Sequence, residues 1–262
     1  MSFENRVFDM MLDINLKQKY LDRIVNQLLL RKRWSYLRYI HLREGLKKAL
    51  AERNSIKSFL SVGCGLGLAE LALAIEYSQV HFYLTDFDAT RYKMAQNMVK
   101  NWSLLNVEFG MYNALSPSDK TYDFVASIEV IEHIENDVLA FKNMCKTAEQ
   151  YLFCLVPFAT DEMNADRKLR NYVWRKHEHY RCGYNTNDLI KLAQNNSIRV
   201  LTIRGCYWQN AGFKLRKIQE ELSDDCLLSS RSNLIELATT DIREDIPIDG
   251  NQLSGIWMLL QV

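Results

Sequence analysis

Glu129, Glu132 and His133 stand together as E-x-x-E-H, and a distal run, RKHEHYRCGY, adds His177 and His179. Two carboxylates and an imidazole can bind a hard divalent ion, and His177 or His179 makes a further ligand available. An imidazole also titrates near neutral pH, so His133 or His179 can act as a general base with no ion present. At helix-like spacing the two glutamates are expected to project from one side with His133 adjacent. His177 reads as a solvent-facing loop histidine, and His41 and His81 read as structural, the first on a helix and the second within a strand.

A second group lies upstream. The run SFLSVGCGLGLAELALA is an apolar strand, then Gly63, Gly65 and Gly67, then an amphipathic helix, which puts the glycines at a strand's carboxyl end where backbone can approach a ligand. A nucleotide-like ligand is implied. The dinucleotide fingerprint G-x-G-x-x-G would need glycine where Leu68 stands, which disfavours hydride transfer. The next strand, VHFYLTDFD, ends in Asp86, whose carboxylate can accept both hydroxyls of a ribose. Phe87 beside it can cover a flat adenine ring. VEFGMYNA supplies Asn113, whose amide can donate to and accept from an adenine edge.

These residues need a scaffold. Short β-rich runs at Ser58–Val62, Val80–Thr85, Val107–Gly110, Phe124–Ser127, Tyr151–Val156, Ile198–Cys206 and Gly255–Val262 alternate with helical ones at Leu68–Tyr77, Ala89–Trp102, Asn136–Thr147, Thr186–Asn195 and Phe213–Glu221. A further helix is expected near Leu234–Thr239. The pattern predicts an α/β fold, a Rossmann-like doubly wound parallel sheet of seven strands, behind an N-terminal helical cap. Residues 1–54 form the cap and 55–262 the ligand-binding domain, with a lid at 157–184 and an insertion at 207–253. The insertion can shape a pocket or a subunit contact. From Val7 to about Arg53 apolar residues recur at helical spacing, and Arg31, Lys32, Arg33, Arg38, Arg43, Lys47 and Lys48 make the region basic. That basic side reads as a solvated face or as a grip on an anionic substrate or membrane surface. In the lid, Arg167, Lys168, Arg170, Arg175, Lys176 and Arg181 can meet phosphate, carboxylate or acidic sugar. Tyr172, Trp174, Tyr180 and Tyr184 can stack on a sugar or base, or Tyr172 and Trp174 can anchor the lid on the core.

Composition narrows the function. The 262 residues carry 33 Lys plus Arg against 32 Asp plus Glu, a net charge of +1, so no whole-molecule field exists to hold nucleic acid, and none is expected as a partner. Six cysteines without a CxxC pair exclude zinc-finger and disulfide scaffolds. No run approaches eighteen apolar residues, and a cytoplasmic protein with reduced thiols is expected.

The chain resembles the class I S-adenosylmethionine-dependent methyltransferases. The likeness spans about Ser55 to Thr202 and rests on the GxGxG loop, the acid closing the second strand, and the block YDFVASIEVIEHI from Tyr122 to Ile134. It implies the fold of that class and S-adenosylmethionine as cofactor. It further implies that Gly63 and Gly65 approach the methionine part, with Gly67 also in the cofactor-binding loop, that Asp86 binds the ribose, and that Asn113 with Ala114 contacts adenine. Ser127 to Glu129 would line the sulfonium end. Many relatives carry Asp or Glu two residues before the first glycine, where it helps bind the cofactor's amino group. Ser61 stands there in this chain, and a hydroxyl or bridging water can do the same with less charge.

The E-x-x-E-H block is also similar to that of the small-RNA 2′-O-methyltransferases, whose two glutamates and two histidines hold a metal and match Glu129, Glu132, His133 and His179. It is similar as well to the quinone-biosynthesis O-methyltransferases. A metal would lower the pKa of an attacking hydroxyl. The same letters occur in methyltransferases read as metal-free, so a divalent metal is allowed but not expected. The leading expectation is methyl transfer to a hydroxyl of a small-molecule, sugar or lipid-linked acceptor. HEHYRCGYNTNDLIKLA and IPIDGNQLSGIWMLL look like segments of bacterial methyltransferases of that group. The alternatives are a metal-dependent RNA 2′-O-methyltransferase, opposed by the neutral charge, and a non-catalytic cofactor-binding regulatory partner, opposed by the retention of Asp86, Asn113 and His133.

Overall fold

The computed structural model describes residues 3–30, 34–52, 55–243 and 253–262. The helical N-terminal region is a pair, α1 (Phe3–Leu30) and α2 (Ser35–Glu52). Then come β1 (Ser58–Val62), α3 (Leu68–Glu76), β2 (His81–Asp86), α4 (Lys93–Trp102), β3 (Val107–Met111), β4 (Tyr122–Ile128), α5 (Asp137–Thr147) and β5 (Ala148–Pro157). The lid segment holds α6 (Asp161–Ala165) and α7 (Arg167–His177), followed by α8 (Thr186–Gln194) and β6 (Arg199–Cys206). A π-turn, α9 (Lys214–Glu221), α10 (Asp224–Ser229) and α11 (Arg231–Arg243) precede β7 (Gly255–Gln261). Helix α4 starts later than its apolar pattern suggests because Asp88 accepts from the Thr90 N–H and hydroxyl, closing a local turn that competes with helix.

All seven expected strands form one sheet in the order β3-β2-β1-β4-β5-β7-β6. The apolar runs of β1, β4 and β5 fill its centre, buried on both faces as in a covered parallel sheet. Val62 pairs with Thr85 on one side and Ser127 on the other. The strand order reverses at β1 and β4, so their carboxyl ends flank the crevice where such folds take ligands.

The sheet departs from the all-parallel expectation at β7, which runs antiparallel between β5 and β6. Its first residue, Gly255, pairs with Cys206 and Pro157, the last residues of β6 and β5. The chain thus leaves β6 and re-enters β7 at the same edge, and without a crossover the two strands must be antiparallel. The described part of the insertion therefore starts at the carboxyl edge, where the Tyr207 hydroxyl reaches Glu129 just after β4.

Ile24, Val25, Leu28 and Leu29 of α1 and Leu37, Leu42 and Leu46 of α2 are buried in one apolar cluster with Phe59, Phe82 and Phe124 of the sheet. Tyr20 stacks on Trp102 at 4.6 Å, tying α1 to α4. A second cluster on the opposite face includes Phe141 and Met144 of α5 and Leu189 of α8. The expectation of a basic surface here is corrected in part: Arg38 and Arg43 turn inward to Glu129 and Glu76 because carboxylates on neighbouring elements neutralise them. Arg31, Lys32, Arg33 and Arg53, and residues 244–252 of the insertion, lie outside the described residues. Among the described residues no helix is long and apolar enough to cross a membrane.

Candidate cofactor and acceptor site

The turn from β1 to α3 is built by three left-handed glycines, Gly63 (φ +71°), Gly65 (φ +56°) and Gly67 (φ +67°). A Cβ on Gly63 would stand 2.5 Å from Val130 Cγ2, so the loop abuts the E-x-x-E-H segment. A Cβ on Gly65 would meet nothing within 4 Å, so this glycine faces open space. Its N–H donates to Asp86 Oδ2 at 2.8 Å, and the Asp88 N–H donates to Oδ1 at 3.0 Å. Asp86 is thus fixed at the end of β2, each oxygen keeping acceptor capacity for a ligand hydroxyl.

Around this opening Phe87 is 73% exposed and Met111 66% exposed, an apolar rim at the ends of β2 and β3. Asn113 is exposed, and its side-chain carbonyl accepts from the Leu115 N–H at 3.0 Å, which fixes the amide while leaving its nitrogen and a second carbonyl lone pair for a base edge. Ala114 is buried, its carbonyl taken by Asn143 Nδ2 of α5 at 2.9 Å. Ser127 is buried at the end of β4 with its hydroxyl unpartnered. Ser61 is also buried, and its hydroxyl donates to Glu70 Oε1 at 2.8 Å. Burial raises the pKa of Glu70 above the ordinary carboxylate value, against the lowering effect of the Ser61 hydrogen bond.

The E-x-x-E-H segment overturns the expectation that both glutamates share one side. Glu129 adopts a left-handed backbone (φ +52°), and Ile131–His133 form a single 3₁₀ turn rather than a helix. Glu129 swings to the N-terminal pair: its Oε2 is held by Arg38, and its Oε1 accepts from the Tyr207 hydroxyl at 3.1 Å. Tyr207 is itself left-handed (φ +60°) and stacks on Trp34 at 4.7 Å. Asp241 of α11 fixes it, accepting the Tyr207 N–H on Oδ2 and the Trp208 N–H on Oδ1, both at 2.8 Å. His41 Nε2 meets the same Oδ2 at 2.7 Å, while His41 Nδ1 receives the Trp257 indole N–H at 3.2 Å. An indole can only donate, so His41 Nδ1 accepts and Nε2 carries the proton given to Asp241. His41 is thus structural, as expected, and it joins α2 to the insertion.

Glu132 points the other way, into the protein. It is fully buried with both carboxylate oxygens unpartnered, and burial, then the nearby Glu129 charge, push its pKa well above the ordinary value. Its backbone carbonyl accepts from the Tyr180 N–H at 2.8 Å, which docks the segment after α7 onto the 3₁₀ turn. The two candidate bases meet there: His133 and His179 rings lie 4.5 Å apart at 87°, with His177 5.3 Å from His179. Burial lowers the pKa of His133, opposed by a hydrogen bond to the Glu178 backbone. Burial followed by the two neighbouring histidines brings His179 down to about 4. One ligand atom from each of Glu132, His133 and His179 lies within 4.8 Å of the others, and His179 Nδ1 is buried without a partner. Of the four residues matched to the metal-holding relatives, Glu129 stands apart, paired with Arg38, and the cluster is Glu132, His133 and His179. His177 is exposed, as expected.

Next to the histidines, a cavity of about 320 Å³ is lined by Ile134, Glu135, Asp137, Asn164, Arg170, Tyr180 and Arg181. Of the lid cations, Arg181 is spent on structure, bonding Asp137 at 2.9 Å and lying 4.1 Å over the Tyr184 ring. Tyr184 is buried and donates to Asp137, an anchor rather than a stacking surface. Tyr172, Trp174 and Tyr180 are about half exposed, which overturns the idea that the first two pin the lid to the core. Sequence reasoning missed Glu70, Tyr207 and Asp241, and read Arg38 only as part of a basic face. Only Glu70 left a signal, a lone acid in the apolar helix LAELALA.

Residues 33–203 match a family described as methyltransferase domain. Among solved structures, coclaurine N-methyltransferase bound to N-methylheliamine and S-adenosylhomocysteine superposes with a TM-score of 0.60 at 14% identity, covering 100% of this chain and 89% of that one. A candidate sarcosine dimethylglycine methyltransferase from Galdieria sulphuraria gives 0.60 at 16% identity over 85% of each chain. Phosphoethanolamine N-methyltransferase 2 of Haemonchus contortus, in complex with S-adenosyl-L-methionine, gives 0.57 at 14% identity over 84% of this chain and 52% of that one, so the chain spans about half of that protein. No curated protein sequence matches the chain. At these identities the likeness to solved structures is one of fold, whereas the family match covers more than half of the sequence. The chain belongs to the methyltransferase-domain family and has the class I S-adenosylmethionine-dependent methyltransferase fold.

Proposed function

We propose that the protein transfers the methyl group of S-adenosylmethionine to a hydroxyl of a small or glycan-like acceptor, with His133 as the general base. The observation that carries this reading is the His133–His179 pair, its rings 4.5 Å apart, whose chain neighbours Ile134 and Tyr180 line the cavity. Gly63 and Gly65 would hold the cofactor's methionine part, Asp86 its ribose, and Phe87, Asn113 and Ala114 its adenine. The acceptor enters the cavity, where Arg170, exposed on α7, offers a charge to an acidic group. Residues 1–54 act as a cap over a catalytic unit of residues 55–262, and six free cysteines suit a reducing cytoplasm.

The chemistry asks little of the protein beyond alignment. The acceptor oxygen forms a bond to the methyl carbon as the carbon–sulfur bond breaks, and the electron pair passes to sulfur, leaving a neutral thioether. The hydroxyl proton goes to a ring nitrogen of His133. Burial lowers the pKa of His133 and so favours the neutral imidazole that can take this proton. Holding acceptor and methyl in line supplies much of the rate.

One observation favours a metal-assisted form of the same reaction. Glu132 buries two unpartnered carboxylate oxygens beside His133 and the unpartnered Nδ1 of His179, a mixed oxygen and nitrogen donor set that suits a divalent cation. Glu132, His133 and His179 would hold it, and it would supply Lewis acidity that lowers the acceptor hydroxyl's pKa.

The test supplies S-adenosylmethionine with a labelled methyl group and panels of hydroxyl and amine acceptors, with metal content recorded. Transfer to a hydroxyl acceptor that falls by about 10²–10⁴-fold in His133→Ala supports the proposal. Transfer to nitrogen alone, or a His133→Ala rate equal to wild type, refutes it.

A further inference from the structure

We infer that α7, the helix of the lid, docks the protein on the headgroups of an anionic lipid bilayer. The inference stands apart from the methyl-transfer reading, because it concerns the outer face of the lid rather than the chemistry beneath it.

No residue of α7 is buried, although the helix runs for 11 residues. Its apolar side is Leu169 and Val173, both half-buried, and its packing is mainly on the short helix α6. Arg167, Lys168, Arg170, Arg175 and Lys176 are cations and no residue of the helix is acidic, in a chain whose net charge is only +1. At 3.6 residues per turn, Arg167, Lys168, Asn171 and Arg175 share one outward stripe, and all four are exposed. Arg167, Lys168 and Arg175 form no ion pair among the described residues. The nearest acids are committed elsewhere. Asp166 accepts the Lys168 and Leu169 N–H groups at 2.7 and 3.2 Å, and Asp161 accepts from Asn185 Nδ2 at 2.8 Å. Tyr172 and Trp174 flank the stripe, one on each side and both half exposed. Lys176 Nζ donates to the Tyr172 hydroxyl at 2.6 Å, and Trp174 packs edge-on against Tyr180 at 4.8 Å.

A face that only meets water needs charge but no large aromatics. A row of cations between a tyrosine and a tryptophan instead matches a bilayer surface, where cations meet lipid phosphates and amphipathic rings settle at headgroup level. Nucleic acid would feel the same charge. With these five cations set aside, however, the rest of the chain is net negative, so no basic track continues past the helix for a polynucleotide backbone. A planar surface needs only the one face. Among the described residues no helix is long and apolar enough to cross a membrane, so this contact lies on the bilayer rather than spanning it. The docked face borders the cavity beside the histidines, which Arg170 of α7 and Tyr180 line, so the bilayer would lie at the cavity's rim.

Flotation of the full chain compares vesicles of phosphatidylcholine alone with vesicles of equal parts phosphatidylcholine and phosphatidylglycerol. Wild type is expected to float only with the anionic vesicles. It should be released as salt rises from about 0.1 M to about 1 M, where the screening length falls from about 10 Å to about 3 Å. Each cation near such a surface strengthens partitioning about fivefold, so Arg167→Gln with Lys168→Gln and Arg175→Gln should weaken it about a hundredfold. Lys47→Gln with Lys48→Gln, on the basic N-terminal pair, should leave it unchanged, and melting curves show that both variants are folded. Tryptophan emission should shift to the blue on vesicle binding in wild type and not in Trp174→Phe. Wild type that floats with neither vesicle, a triple variant that floats as wild type does, or an equal loss in the Lys47 and Lys48 variant would overturn the inference. So would a blue shift retained in Trp174→Phe, or single-stranded RNA that displaces the protein from the vesicles at equal phosphate. Neither cofactor nor acceptor is present in these measurements, so failure of the proposed methyl transfer leaves their outcome unaffected.

Discussion

Arg38, on the second helix of the chain, forms an ion pair with Glu129 at the end of the central strand, and the Tyr207 hydroxyl completes the carboxylate's shell. Three distant stretches of sequence thereby meet at the residue expected to line the sulfonium end. Because the Arg38 side chain is a third exposed, screening limits the pair's worth. A double-mutant cycle of Arg38→Ala and Glu129→Ala in urea unfolding is expected to give a coupling of about 1 kcal/mol. Additive effects would show that the pair contributes nothing.

Asp241 is the insertion's fastening point. In Asp241→Asn one oxygen becomes an NH₂ that faces donors, since the Tyr207 and Trp208 amides and His41 Nε2 all point at this carboxylate. The expected cost is about 2–3 kcal/mol, or roughly 2–4 °C of melting temperature per kcal/mol. Calorimetry that finds the variant as stable as wild type would remove Asp241 from this role.

Much of this assembly was invisible in sequence, for physical reasons. Strand periodicity and glycine punctuation are local, so the seven strands, the glycine loop and a helical N-terminal region are legible, though not its division into two helices. The direction of β7 is not, because it depends on which edge the insertion occupies. Glu129 and Glu132 were expected on one side because their spacing suits a helix. The left-handed backbone at Glu129 sends them apart, and Arg38, from far upstream, is the partner that Glu129 meets. His133 and His179 did meet, since the segment after α7 returns to the same edge. Tyr184 and Arg181 read as ligand contacts but bond Asp137, a partner that no spacing rule announces.

The raised pKa of Glu70 has a signed consequence for the ligand-free protein. Below an unfolded-state pKa of about 4.3 both states are protonated and the stability is fully present. As pH rises, the unfolded chain ionises first and stability falls, until the folded carboxyl also ionises. Glu70→Gln removes this slope while keeping an acceptor for Ser61. Its melting temperature should match wild type near about pH 4 and rise above it by about pH 8. Parallel curves would contradict the assignment.

Glu132 should report a bound cation directly. In the metal-assisted form, adding Mn²⁺ or Zn²⁺ to the stripped protein raises the melting temperature of wild type and not that of Glu132→Gln, by the linkage of binding to stability. Without added metal, Glu132→Gln should be at least as stable as wild type, because it removes a buried unpaired carboxylate. Equal metal shifts in both proteins would exclude Glu132 as a ligand.

The most direct measurement is calorimetric titration of S-adenosylhomocysteine into wild type and Asp86→Ala, with melting curves to show that both are folded. Asp86 carries the ribose in this account and is fixed by the Gly65 and Asp88 amides. The account predicts micromolar binding to wild type, weakened in the variant by about 1.5–3 kcal/mol, or roughly 10- to 150-fold. Equal affinities, or no binding to wild type, would contradict it.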